Sequence, residues 1–116
     1  MTNYQPGDLV LVPFPFTDLT TTKRRPAMVL AFIVPKKLPP LLVVAMITSQ
    51  INAETMQGDL LIKHWEEANL LYPSKIRLAK LVSIEKNLVV NQLGSLQKKD
   101  LEGVKKEFKK LFSAFI

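Results

Sequence analysis

Lys23-Arg24-Arg25-Pro26-Ala27-Met28-Val29-Leu30-Ala31-Phe32-Ile33-Val34 carries three consecutive cations straight into an unbroken apolar run. The run from Pro26 to Val34 is short, rich in β-branched and aromatic residues, and continuous, which predicts a strand buried on both faces. Pro26 fixes its own φ, offers no N–H to a ladder and biases Arg25 towards an extended backbone. Arg24 and Arg25 are therefore expected at the lip where a polar loop enters the strand, with Arg25 presented from a stiff hinge. By position alone the three cations also read as a solvated charge run.

Upstream, Gly7 to Val12 reads as a turn and a first strand, ended by Pro13-Phe14-Pro15-Phe16, because two prolines cannot continue a ladder. Residues 17–25, with Thr17, Thr20, Thr21 and Thr22, then form a polar loop. Downstream, the prolines and lysines of residues 35–40 break the chain before a second buried strand, Leu41 to Ile47. Thr48-Ser49-Gln50 closes that strand with three hydrogen-bonding side chains. Gly58-Asp59 opens a short strand, Leu60 to Ile62. Trp65 to Leu71 has room for about two helical turns before Pro73. Ser74 to Ile84 reads as a strand with cations at Lys75, Arg77 and Lys80, and Leu88 to Leu93 as a last one.

From about Gln97 the period changes. Leu101, Val104, Phe108, Leu111, Phe112 and Phe115 fall on one helical face, with the lysines mostly elsewhere. Such a helix reads as cover for a sheet rather than as a membrane binder. About five to seven short strands with a short internal helix and a terminal amphipathic helix predict a mainly β fold with α, an SH3-like barrel or strongly curved sheet. At 116 residues the chain is expected to be one domain, spanning 1–116, large enough to build a core without staples.

Composition narrows the chemistry. There is no cysteine and a single histidine, so a disulfide framework, thiol catalysis and a structural zinc site are not expected. Acidic residues are scattered singly or sit on predicted helices, and no Gly-rich phosphate loop is visible, so neither metal nor cofactor is expected. His64, beside Trp65, reads as a cap or surface residue rather than a catalytic one. No leader or membrane span is visible, and the cytoplasm is the expected location. Sixteen Lys and Arg against ten acids give a net charge of +6. The excess is shared between the body and the C-terminal segment, and suits a polyanionic partner.

What remains is cationic and hydroxylic. If the strands that follow Arg25 and precede Thr48 are antiparallel neighbours, Arg25 and Thr48 meet at one rim. Guanidinium forks bind phosphate oxygens in pairs and stabilise charge that grows in a transition state. RNA brings its own nucleophile, the 2′-OH, so an enzyme need only orient the attack, stabilise the phosphorane and assist proton transfer. Arginine is a weak candidate for that last task, since a guanidinium holds its proton in proteins. Arg24, Ser49, Gln50, Lys75, Arg77 and Lys80 are further candidates for RNA contact. Phe14 and Phe16 read either as stacking platforms or as anchors of the first loop.

Gly7-Asp8-Leu9-Val10-Leu11-Val12, the polar loop, Arg24-Arg25-Pro26-Ala27-Met28-Val29-Leu30 and Ile47-Thr48-Ser49-Gln50 resemble, in order and spacing, the MazF/PemK family of toxin endoribonucleases. The likeness extends through Ser74 to Ile84 and the C-terminal helix. It implies a CcdB/PemK-like barrel and a homodimer. It also implies metal-independent cleavage of single-stranded RNA to 2′,3′-cyclic phosphate and 5′-OH ends, and a cognate antitoxin that blocks the site. The family's arginine before proline corresponds to Arg25 and its strand-end threonine to Thr48. An arginine used by some members, two residues before an aspartate, corresponds to Arg77, but Ala79 stands where the aspartate would be. No histidine occupies the first loop. The group that moves the proton therefore stays open. Two other readings stay open with it: a non-enzymatic gyrase inhibitor of the related CcdB type, and an RNA-binding barrel that has lost cleavage.

Overall fold

The computed structural model describes residues 3–14 and 23–116. Six strands form one antiparallel sheet: β1 (Asp8–Phe14), β2 (Lys23–Ile33), β3 (Leu41–Thr48), β4 (Asp59–Leu61), β5 (Lys75–Glu85) and β6 (Asn91–Ser95), in the order β4-β5-β3-β2-β1-β6. A single 3-10 turn, Lys86–Leu88, joins β5 to β6, and one helix, α1 (Lys98–Leu111), closes the chain. The expected mainly β fold with a terminal helix is what the chain adopts.

The central strands are buried on both faces, as their continuous apolar sequences require. One core holds Leu9, Met28, Ala45, Ile47, Ile76 and Leu78, joined by Ile62, Leu70, Leu96 and Val104. The other, on alternate residues, holds Val10, Val12, Ala27, Val29, Leu42, Val44 and Ile84. Register shifts interrupt the β1–β6, β2–β3 and β3–β5 ladders. Bulges of this kind bend a sheet and raise its twist. The largest is in β5, where Ala45 pairs with Leu81 but Met46 pairs with Arg77, so Leu78, Ala79 and Lys80 are looped out. Gly58 makes room for it: φ is +93°, its carbonyl accepts the Leu78 N–H at 3.0 Å, and a Cβ there would lie 3.2 Å from the Ala79 nitrogen.

Several boundaries differ from expectation, and the last strand, expected over Leu88 to Leu93, runs instead over Asn91–Ser95 after the 3-10 turn. β1 runs through Pro13 to Phe14, and β2 starts at Lys23, ahead of Pro26. Both prolines are tolerated because the ladder is one-sided where they stand. β6 accompanies β1 only as far as Leu11, and β3 joins β2 only from Ala27 onward. The internal helix expected over Trp65 to Leu71 does not form. Residues 63–69 make a single turn, closed by Asn69 at φ +66°, with the Leu70 N–H donating to the Trp65 carbonyl and the Asn69 N–H to the Glu66 carbonyl. This is the six-to-one, five-to-two closure that a left-handed asparagine permits.

That turn links the outer strand β4 to the opposite edge of the sheet. Asn69 Nδ2 donates to the Leu93 carbonyl of β6 at 3.1 Å, and Ala68 presses so closely on Gly94 that no Cβ would fit there. Helix α1 holds the turn from behind. The buried Asp100 carboxylate accepts the Lys63 N–H at 3.0 Å and the His64 N–H at 2.8 Å. Leu101, Val104 and Leu111 of the predicted apolar face pack on the core, whereas Phe108 stays partly exposed against Phe112 and Phe115 projects into solvent. Among the described residues, no helix is long and apolar enough to cross a membrane.

Candidate active site

Arg25 and Thr48 come to one rim of the sheet. β2 and β3 are antiparallel and their ladder ends where Ala27 faces Met46, two residues short of Arg25 and of Thr48, and both of these residues line one cleft. Thr48 is in turn paired with Lys75 on β5, and Arg25 with Val12 on β1. Residues paired in this way point to one face of the sheet.

The cleft at these strand ends has a volume of about 440 Å³. Arg24, Arg25 and Pro26 line it from β2, and Ile47, Thr48 and Ser49 from β3. The opposite wall is the stretch after the single turn: Asn69, Leu70, Leu71, Tyr72 and Ser74. Tyr72 is 63% exposed at the mouth. Ser74 Oγ donates to the Tyr72 carbonyl at 2.8 Å across Pro73, so the ring is carried on a braced segment. The Thr48 hydroxyl accepts the Gln50 N–H at 3.1 Å and, among the described residues, donates to no partner. Among the described residues neither Arg24 nor Arg25 meets a carboxylate.

Other predicted contact residues lie elsewhere. Gln50 is exposed just beyond the cleft. Lys80 is exposed on the β5 bulge and does not line it. Lys75 and Arg77 are turned inward. Their side chains are 3% and 10% exposed and share the buried carboxylate of Asp59, at 3.3 Å and 3.7 Å. Asp59 sits opposite Arg77 across β4 and β5, so the arginine's carboxylate comes from a neighbouring strand instead of position 79. His64 holds Glu67 at 3.0 Å on the surface, as a residue of the turn. The Phe14 side chain, Phe16 and the threonines at 17 and 20–22 lie outside the described residues.

Sequence reasoning passed over Tyr72, Asn69, Asp59 and Asp100. The first stands before a proline within a turn, the only local sign that it is presented. The carboxylates act on groups distant in sequence, and single-chain spacing carries no trace of that.

No curated protein matches the chain. Solved structures share its fold at low identity. An endoribonuclease from a Mycobacterial species, solved in complex with its cognate antitoxin, superposes with a TM-score of 0.73 at 8% identity, over 96% of each chain. The Mycobacterium tuberculosis toxin MazF-mt6 gives 0.65 at 16%, covering 94% of this chain and 97% of its own. MazF from Deinococcus radiodurans gives 0.68 at 20%, covering 97% and 99%. Residues 5–112 match the family model described as PemK-like, MazF-like toxin of type II toxin–antitoxin system, and the chain belongs to that family.

Proposed function

We propose that this toxin is a metal-independent endoribonuclease whose reaction is centred on Arg25 and Thr48. The observation that supports the reading is the cleft at the strand ends. Arg25 and Thr48 both line it, in a chain of this family.

Single-stranded RNA enters between the strand ends and the Tyr72 wall. The 2′-oxygen of the nucleotide at the scissile bond attacks its own phosphorus, and the bond to the 5′-oxygen of the next nucleotide breaks. The proton lost by the 2′-OH is balanced by one gained at the 5′-oxygen, so the products are a 2′,3′-cyclic phosphate and a 5′-OH. Arg25 is aimed at the non-bridging oxygens, where charge accumulates as phosphorus becomes pentavalent. Thr48 donates to one of those oxygens and fixes the phosphate for in-line attack. Arg24 adds positive potential at the entrance, and Ser49 a second hydroxyl. The exposed Tyr72 ring and Leu71 give a base an apolar surface to stack on. The working unit is a homodimer, and a cognate antitoxin covers the same rim.

Cleavage of a long mixed-sequence RNA in EDTA, with wild type and Arg25→Ala side by side, tests this. Discrete fragments with 5′-OH ends are expected from wild type, and a drop of about 10²–10³ in kcat/KM from the variant. No products from either protein would overturn the ribonuclease reading. Equal cleavage by both would remove Arg25 from the centre.

A further inference from the structure

Asp59, Lys75 and Arg77 take no part in the chemistry above, yet they are the most deeply buried charge cluster among the described residues. Two cations share a single carboxylate oxygen, Asp59 Oδ2, which also accepts the Met56 N–H at 3.0 Å. Each cation also donates to the main chain of the segment between β3 and β4. Lys75 Nζ donates to the Ala53 carbonyl at 3.1 Å and Arg77 Nη2 to the Glu54 carbonyl at 3.0 Å. Lifting that segment would strip each buried cation of an acceptor and leave it half-satisfied out of water, which is strongly disfavoured.

The same segment begins at the reaction centre. Ser49 lines the cleft, the Gln50 N–H donates to the Thr48 hydroxyl, and the Ala53 N–H returns to the Gln50 carbonyl at 3.1 Å. The anchored carbonyls therefore lie one tight turn away from the bond that orients Thr48.

We propose that Asp59, Lys75 and Arg77 form a latch that holds residues 50–56 against β4 and β5, and thereby sets the orientation of Thr48 and the RNA sequences admitted beside it. The three are positioning residues and do not touch the RNA. For its RNA readout the proposal rests on the ribonuclease reading; for its structural readout it does not.

The experiment has two arms. The first compares hydrogen exchange of residues 50–56 in wild type, in Arg77→Met and in the triple variant Asp59→Asn/Lys75→Met/Arg77→Met. Neutralising all three charges together leaves no lone buried ion, so the fold is expected to survive. Protection of 50–56 should fall about tenfold or more in the triple variant, while the amides of β1, β2 and β3 keep theirs. The second arm maps 5′-OH ends and measures kinetics at the preferred site. For Arg77→Met, KM is expected to rise about tenfold and cleavage to spread to further sequences, with kcat changed less than about threefold.

Unchanged protection of 50–56 in both variants would overturn the latch. So would a collapse of kcat in Arg77→Met with KM and protection intact, because that is the signature of an arginine acting on the reacting phosphate. Should the triple variant fail to fold, Arg77→Met decides the matter alone, since Lys75 and Asp59 still pair in it. Should wild type cut no RNA, the ribonuclease reading fails and the exchange arm still decides the latch.

Discussion

Arg25, paired with Val12, and Lys75, paired with Thr48, stand at strand ends of the same sheet, and the two charges have opposite fates. Lys75 is buried, paired and committed to the protein's own carbonyls. Arg25 is half-exposed at the edge of a cleft with no carboxylate partner among the described residues. What separates them is the strand next door. β4 brings Asp59 opposite Arg77 and within reach of Lys75, whereas β1 sets Val12 and Pro13 opposite Arg25 and Arg24. A cation beside a carboxylate becomes part of the fold. Arg25, beside a valine, meets no carboxylate among the described residues, and the proposed reaction rests on its binding a phosphodiester.

The sharpest way to break this contrast is to measure stability and cleavage in paired variants. Asp59→Ala leaves two buried cations without their carboxylate, and should cost about 3–5 kcal/mol of folding free energy. For a domain of this size that lowers the melting temperature by roughly 10–20 °C. Arg25→Ala should change stability by less than about 0.5 kcal/mol while removing cleavage. If urea titration gave the two variants equal destabilisation, the division into structural and free cations would be wrong.

A smaller effect sharpens the picture of the cleft's second wall. Tyr72→Ala is expected to weaken binding of a short single-stranded RNA by about 1–3 kcal/mol, with Tyr72→Phe close to wild type, when both are measured in the Arg25→Ala background to prevent turnover. Equal binding by the alanine and phenylalanine variants would take the ring out of recognition. The smallest effect belongs to Lys80. On the exposed β5 bulge and outside the cleft, its replacement by alanine should lower the slope of log affinity against log salt by no more than about 1. It should leave kcat alone.

Most of the sheet was legible because its cues are local. The apolar runs at Ala27–Val34 and Leu41–Ile47, and the change of period after Gln97, appear as β2, β3 and α1 within a few residues. Of the site, Arg25 and Thr48 could be placed together because antiparallel pairing of neighbouring strands fixes which ends meet. The errors came where a non-local partner decides. Lys75, Arg77 and Lys80 look alike in sequence, as cations on one strand. A three-residue bulge and an aspartate on another strand bury two of them and expose the third. The turn at 63–69 looked long enough for a second helical turn, but Asn69 in the left-handed region ends it to meet Leu93.

Two segments of the chain are held by side chains that grip main-chain atoms. Asp100 takes the amides of residues 63 and 64, and Lys75 and Arg77 take the carbonyls of residues 53 and 54. A carbonyl belongs to every residue type, and an amide N–H to every one but proline. Substitutions in the two gripped segments can therefore change their side chains without unseating the segments. A frame built this way constrains main-chain positions more than residue types, and it suits a fold that persists at 8–20% identity.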